Sequence, residues 1–175
     1  GSIALVEETG EVWVSLSGGD GIVVVSASGA LIEHIDTGYG SSPRAVAVGP
    51  DEQSVYVSTY ARGASDPGNG QLLRYDRRTR QLNGSVELGS RAGALAISSS
   101  GDSVYVARLI SGEHYGEIWE VDGQQMTLIQ TLRLWRDRGV RGLDGGGSLG
   151  PGVPNFITSL RIDPHGEWLW YTAVK

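Results

Sequence analysis

Apolar residues along this chain alternate with small or polar ones in short runs, and almost nowhere do they recur at helical spacing. Alternation at period two marks half-buried strands, and the Gly, Asp, Ser and Pro between the runs mark turns. The stretch "AVAVGPDEQSVYVSTY" (residues 45–60) returns as "ALAISSSGDSVYVARL" (94–109), and more loosely as "SLRIDPHGEWLWYTAV" (159–174). Each copy predicts a strand, a polar turn and a second strand built on an aromatic. Further along, "GQLLRYD" is matched by "GEIWEVD". The clearest unit therefore predicts strands over roughly 45–48, 54–59, 71–75 and 83–88, and the next unit over 94–97, 103–107, 117–121 and 128–134. An earlier unit is read from "IALVEETGEVWVSL", "GIVVVSA" and "LIEHID". Trp13, Tyr56, Tyr105 and Trp170 fall at matching places in the repeats.

A repeat of four strands and about 40 to 50 residues is the signature of a β-propeller. The expected fold is all-β, a single segment of four-stranded antiparallel blades over approximately 3–38, 43–88 and 92–134. The first two strands of a fourth blade follow over 156–174, after a long inter-blade loop at 135–155. A β-sandwich is the alternative, but it does not account for the matching aromatics and turns. Closed propellers have ~4 to 8 blades, so three and a half leave open faces and edges. The expectation is a fragment of a longer propeller, or copies that self-associate through those open edges. Trp170 is expected to be buried between blades, as a repeat aromatic. Gly1-Ser2 reads as a cloning remnant and is set aside.

Composition narrows the function. Of the 175 residues, 39% are hydrophobic, enough for a real core. A formal charge of -6 argues against nucleic acid as a partner, since phosphate binding needs a basic face. With no cysteine, this stretch holds no disulfide, thiolate metal site or covalently attached haem. No apolar run approaches the ~20 residues of a membrane span.

"SPRAVAVGPDEQSVYVS" and "GQLLRYDRRTRQLNGSVELG" resemble the YVTN-type β-propeller repeats of bacterial surface and periplasmic proteins. The resemblance implies the propeller fold and a periplasmic or extracellular location. Glu52 and Asp102 stand where a turn Gly is usual in that repeat. "GEIWEVDGQQMTLIQTLRL" and "GVPNFITSLRIDPHGEWLWYTAVK" are similar to propeller segments of bacterial proteins that also carry di-haem cytochrome c peroxidase-type modules. A C-x-x-C-H motif is absent here, so no haem role is carried over.

Propeller topology puts A–B and C–D turns on one side, and B–C loops and D–A connections on the other. The elaborated segments are 61–70, 110–116 and 135–154, all on the second side. Loops of such length in a compact fold are commonly functional. The candidate ligand-binding face comprises Arg44, Arg62, Arg91, Arg108, His114, Tyr115, Trp135, Arg141 and Asn155. Guanidinium forks suit carboxylates and phosphates, and Tyr115 and Trp135 are candidates for stacking. The competing reading pairs each Arg with Asp66, Glu113, Asp137 or Asp144.

Other motifs lose to plainer readings. "GGSLG" (146–150) matches G-x-S-x-G, but the strand–turn–helix of a nucleophile elbow is missing around Ser148. "GGGSLG" fails for the same reason as a dinucleotide motif. His34, His114 and His165 are too scattered for a zinc site. "SDPGNG" (65–70) reads as a turn before it reads as a calcium loop. Asn83 fits a glycosylation sequon but lies in strand sequence. No catalytic residue, metal or cofactor is expected. The leading expectation is a non-enzymatic module that binds a protein partner or a small anionic ligand. The alternative is a fragment of a propeller enzyme, lactonase- or dehydrogenase-like, or the propeller part of a haem redox protein. The inner-strand starts offer Arg44, Arg91 and Asn155 without a carboxylate trio, which favours the binding module.

Overall fold

The computed structural model describes residues 1–66, 68–136, 140–141, 148–149 and 152–174. The chain is a partial β-propeller. The first sheet runs β1 (Ile3–Leu5), β2 (Val12–Ser15), β3 (Gly21–Val25) and β4 (Leu31–Asp36). The second runs β5 (Pro43–Val48), β6 (Ser54–Thr59), β7 (Gln71–Asp76) and β8 (Leu82–Glu87). The third holds β9 (Ala92–Ile97), β10 (Ser103–Arg108), β11 (Tyr115–Asp122) and β12 (Thr127–Trp135). A short hairpin of β13 (Val140–Arg141) and β14 (Ser148–Leu149) precedes the last pair, β15 (Asn155–Ile162) and β16 (Leu169–Val174). Every pairing is antiparallel between chain neighbours, the topology that short turns permit. Strands β1, β5, β9 and β15 are innermost and lie in that order side by side. Among the described residues, no helix is long and apolar enough to cross a membrane.

Alternation along each strand sends odd and even side chains to opposite neighbours, so the core forms between sheets. Trp13, Ile22, Val24 and Ile35 of the first sheet meet Val46, Val55, Val57, Leu73 and Tyr75 of the second. Tyr56 and Leu72, on the second sheet's other side, meet Leu95, Val104, Val106, Trp119, Val121 and Met126 of the third. Ala96, Ala107 and Ile118 meet Ile157 and Leu160. Trp13 and Tyr56 are 0% and 2% exposed, as repeat aromatics should be.

Trp170 departs from that expectation and is 64% exposed. It pairs with Arg161 on the face of the last hairpin that turns away from the third sheet, where no sheet among the described residues lies against it. Two further expectations need correction. The left-handed place in the A–B turns is held by Gly10, Glu52, Gly101 and Gly166, at φ of 70°, 52°, 81° and 74°. Asp102 therefore follows a turn Gly and does not replace one. Glu52 does depart from the repeat. Its carboxylate accepts the Glu7 and Glu8 backbone N–H groups at 3.1 Å each, a clamp onto the preceding sheet that offsets the strained backbone. Ser2 is also integrated: its amide donates to Ser15 Oγ (2.7 Å), and its hydroxyl accepts the Val46 N–H (2.8 Å).

Candidate functional site

Three of the four inner strands, β5, β9 and β15, have a residue held at positive φ just before or at their start: Ser42 (49°), Arg91 (69°) and Phe156 (47°). None is glycine, so these positions are strained, and backbone bonds within and between sheets surround them. The Tyr60 N–H donates to the Ser42 carbonyl (3.1 Å), and the Arg91 N–H donates to the Tyr60 carbonyl (3.0 Å). The Leu109 N–H then donates to the Arg91 carbonyl (2.8 Å), and the Ile157 N–H to the Leu109 carbonyl (3.2 Å). This relay runs from sheet to sheet around the rim that carries the B–C loops. A second stitch lies just beneath it. Buried Ser15 Oγ donates to the Arg44 carbonyl (3.1 Å), and buried Ser58 Oγ donates to the Gly93 carbonyl. In the third sheet the same place is Ala107, and the stitch is missing.

The candidate residues occupy this rim. Arg44 is the second residue of β5 and stacks on Tyr60, its guanidinium carbon 4.9 Å from the ring centre. It lines a cavity of about 190 Å³ with Ser2, Ser17, Gly93, Ala94 and Thr158. Arg91 immediately precedes β9. Among the described residues, neither has a carboxylate within ion-pair distance. Arg62 and Arg108 differ: Arg62 pairs with Glu87 at the end of β8, and Arg108 with Glu117 in β11 at 2.6 Å. Their forks are therefore engaged, though by acids other than those the loops suggested. Asp66 accepts from Asn69 Nδ2 within its own turn.

Tyr115 and Trp135 belong to strands rather than loops, opening β11 and closing β12. They face each other across the pair with ring centres 5.1 Å apart, edge to face. Arg133 lies over the Tyr115 ring at 5.0 Å, and Trp135 is 60% exposed. His114 is exposed, with Glu113 at 4.0 Å as its nearest acid. Asn155 opens β15 and is structural. Its Oδ1 accepts the Ser111 N–H (2.9 Å), while Ser111 Oγ donates to the Pro154 carbonyl. Arg141 lies in β13, where the backbone alone is described, and Asp137 and Asp144 lie outside the described residues.

Sequence reading missed a charged cluster on the opposite rim. Arg77, only 8% exposed, donates to Glu11 Oε2 and Glu8 Oε2 at 3.2 Å each, and Arg80 donates to Glu11 Oε1 at 2.7 Å. Burial opposes ionisation of Glu11, but the bonds from Arg80, Thr9 and Arg77 outweigh it and hold its carboxyl below the usual range. The signal was in the chain: an "EETGE" turn in one unit and a "DRRTR" turn in the next. Glu120 is similar. Burial opposes its ionisation, yet donors Gln130, Ser103 and Tyr105 keep the carboxyl low. Both acids are saturated acceptors, poorly suited to proton transfer. Among the described residues, no group of three His, Cys, Asp or Glu could hold a metal.

This arrangement defines a partial propeller whose loop-bearing rim carries Arg44, Arg91 and the Tyr115–Trp135 pair. No protein-family model matches the chain, and no curated protein does. Solved structures do share its fold. The chain is similar over 98% of its length to hydrazine synthase of Kuenenia stuttgartiensis, at 14% identity and a TM-score of 0.69, covering 60% of that chain. It is similar over 98% to the Dos1 propeller, at 11% identity and a TM-score of 0.64, covering 42% of that chain. A structure of a nidogen/laminin complex gives 18% identity and a TM-score of 0.63, over 98% of this chain and 54% of that one. The chain thus spans about half the length of these structures, and the likeness concerns the fold alone.

Proposed function

We propose that this chain is a non-enzymatic binding module whose loop-bearing rim takes an anionic group, either a small ligand or an acidic patch on a partner protein. The observation that carries the reading is Arg44. Its guanidinium carbon lies over the Tyr60 ring at 4.9 Å, at the edge of a cavity shared with the hydroxyl-bearing Ser2, Ser17 and Thr158, without a carboxylate partner among the described residues. Arg91, likewise without an acid partner among the described residues, adds a second cation on the same rim. A planar fork pinned by an aromatic ring is pre-organised for a carboxylate or phosphate. Tyr115 and the exposed Trp135 add an aromatic pair elsewhere on the same rim. The saturation of Glu11 and Glu120 also weighs against acid–base catalysis at those groups. Nidogen, in its complex with laminin, offers a precedent at the level of fold for a protein partner. We extend the reading to an exported bacterial propeller of the YVTN type, periplasmic or extracellular.

The test is calorimetric titration with citrate and with an acidic peptide, at low and high salt. Binding is expected to weaken as salt rises, and an Arg44→Glu/Arg91→Glu variant should lose at least tenfold in affinity. Reversal of the already paired Arg62 should change it less. Equal affinity in the double variant and the unmodified chain would sink the reading.

A further inference from the structure

We propose that the outer edge of β12 takes an extended segment of a partner protein as a fifth strand, with an acidic residue of that segment against Arg133 and an apolar one against Trp135. Blades meet through their faces, so a neighbouring blade leaves the outer edge open. The second sheet shows this. It is packed on both faces, against the first and third sheets, and still ends at β8 with no strand outside it among the described residues. A further blade beside the third sheet therefore leaves the edge of β12 as it stands.

The three outer edges are not alike. An edge strand offers unpaired N–H and C=O groups, and proteins blunt such edges with brevity and charge. β4 has six residues and includes Glu33, His34 and Asp36, and β8 has six and includes Glu87. β12 has nine, with Arg133 as its one charged residue. A bulge sets Ile129 apart, so Gln130 to Trp135 form the regular part of this edge. Asp36, Glu87 and Arg133 hold one place in the three sheets, opposite Gly21, Gln71 and Glu117. An acidic segment is thus repelled at the first two edges and attracted at the third.

The side chains along this edge are turned to solvent. Glu117, which faces Arg133 across the strand pair, is already bonded to Arg108. Arg133 lies over the Tyr115 ring instead, and both Arg133 and Trp135 are exposed. All three share the face of Trp119, which packs at the junction of the second and third sheets, so the sheets on either side of that junction both belong to this chain. Antiparallel addition is the more stable pairing, and alternate residues of the added strand share a face. The residue opposite Trp135 then comes two positions before the residue opposite Arg133. Backbone bonds supply affinity in this mode of recognition, and the alternate side chains supply specificity. The site is separate from the Arg44 mouth and stands without it.

The probe is a fluorescent Ser/Thr peptide of about ten residues, the length of a long strand, with one Leu two positions before one Glu. It is titrated with the 175-residue chain by anisotropy. Binding is expected, and Lys in place of the Glu should weaken it about tenfold. Arg133→Glu, shown to be folded by circular dichroism, should reverse that preference. Trp135→Ala should weaken binding about tenfold. N-methylation of alternate peptide residues reads the strand itself: one alternate set should abolish binding and the other should spare it. Arg44→Glu/Arg91→Glu should leave this binding unchanged, so the two sites fail separately. The proposal is overturned if the Glu peptide does not bind at millimolar concentration, if the Glu and Lys peptides bind alike, or if the two N-methylated sets bind alike.

Discussion

The junction between the first and second sheets and the junction between the second and third are built on the same backbone positions with different chemistry. At the first, the turn after β7 reaches back with Arg77 and Arg80 to Glu8 and Glu11. At the second, the equivalent turn after β11 offers the Gly123 and Gln124 carbonyls and the buried Met126. Donors now come from the earlier sheet: Tyr56 OH donates to Gly123 (2.9 Å), and Arg74 Nη1 to Gly123 (2.7 Å) and Gln124 (2.6 Å). Met126 stands where Arg80 stood, at φ of 54° against 59°. The buried aromatics differ as well. Tyr56 satisfies its hydroxyl, whereas Trp13 Nε1 is buried with no partner among the described residues. In a repeat protein, the backbone alone would let any blade stack on any other. Unlike junction chemistry penalises wrong neighbours, since a misplaced Arg77 would be buried without an acid.

The largest effect should come from the buried aromatic of the first junction. Trp13→Ala is expected to cost about 3–5 kcal/mol by urea titration, the range for a fully buried aromatic. A loss under about 1 kcal/mol would show that the first junction does not depend on it. Next is Arg77→Ala, which leaves Glu11 largely buried beside Arg80 alone and should cost roughly 3 kcal/mol. This junction should also be acid-sensitive. The Glu11 pKa is lowered in the folded chain, so its stabilisation is full above the unfolded carboxyl value and fades as pH falls through it toward the folded one. Among the described residues, the second junction has no carboxylate in its polar contacts. Hydrogen exchange near pH 4 should therefore loosen Val24 before Val104, and equal loosening would remove the contrast. Ser58→Ala should cost about 1–2 kcal/mol, since it orphans the Gly93 carbonyl and the Ala45 N–H. The smallest expected effect is a gain. Ala107→Ser places a hydroxyl where Ser15 and Ser58 carry one, and should stabilise the third junction by about 0.5–1.5 kcal/mol in thermal melts.

Alternation and turn residues made the strands legible because both are local properties. Trp170 shows where that stops: its place in the repeat was readable, but burial belongs to whatever lies against it. The rim was partly legible for the same reason. Topology alone puts Arg44, Arg62, Arg91 and Arg108 at one end of the strands. Which of them keeps a free fork depends on cross-strand register, and that register sets Glu117 against Arg108 and brings Glu87 to Arg62. The left-handed Ser42, Arg91 and Phe156 gave no compositional sign, since none is Gly or Asn. Asn155 looked like a rim ligand because a hairpin that needs its carbonyl cannot be seen in one strand alone.

The relay through Tyr60, Arg91, Leu109 and Ile157 also has a temporal side. The Tyr60 carbonyl has no relay donor until the Arg91 N–H exists, and the Leu109 carbonyl waits in turn for Ile157. On the ribosome, each blade's last clasp is thus supplied by the blade still being made. A nascent chain halted before Arg91 should be cut by protease in the loop after β6, and one that has released Leu109 should resist. Equal cleavage of the two would show that the blades close without waiting for their successors.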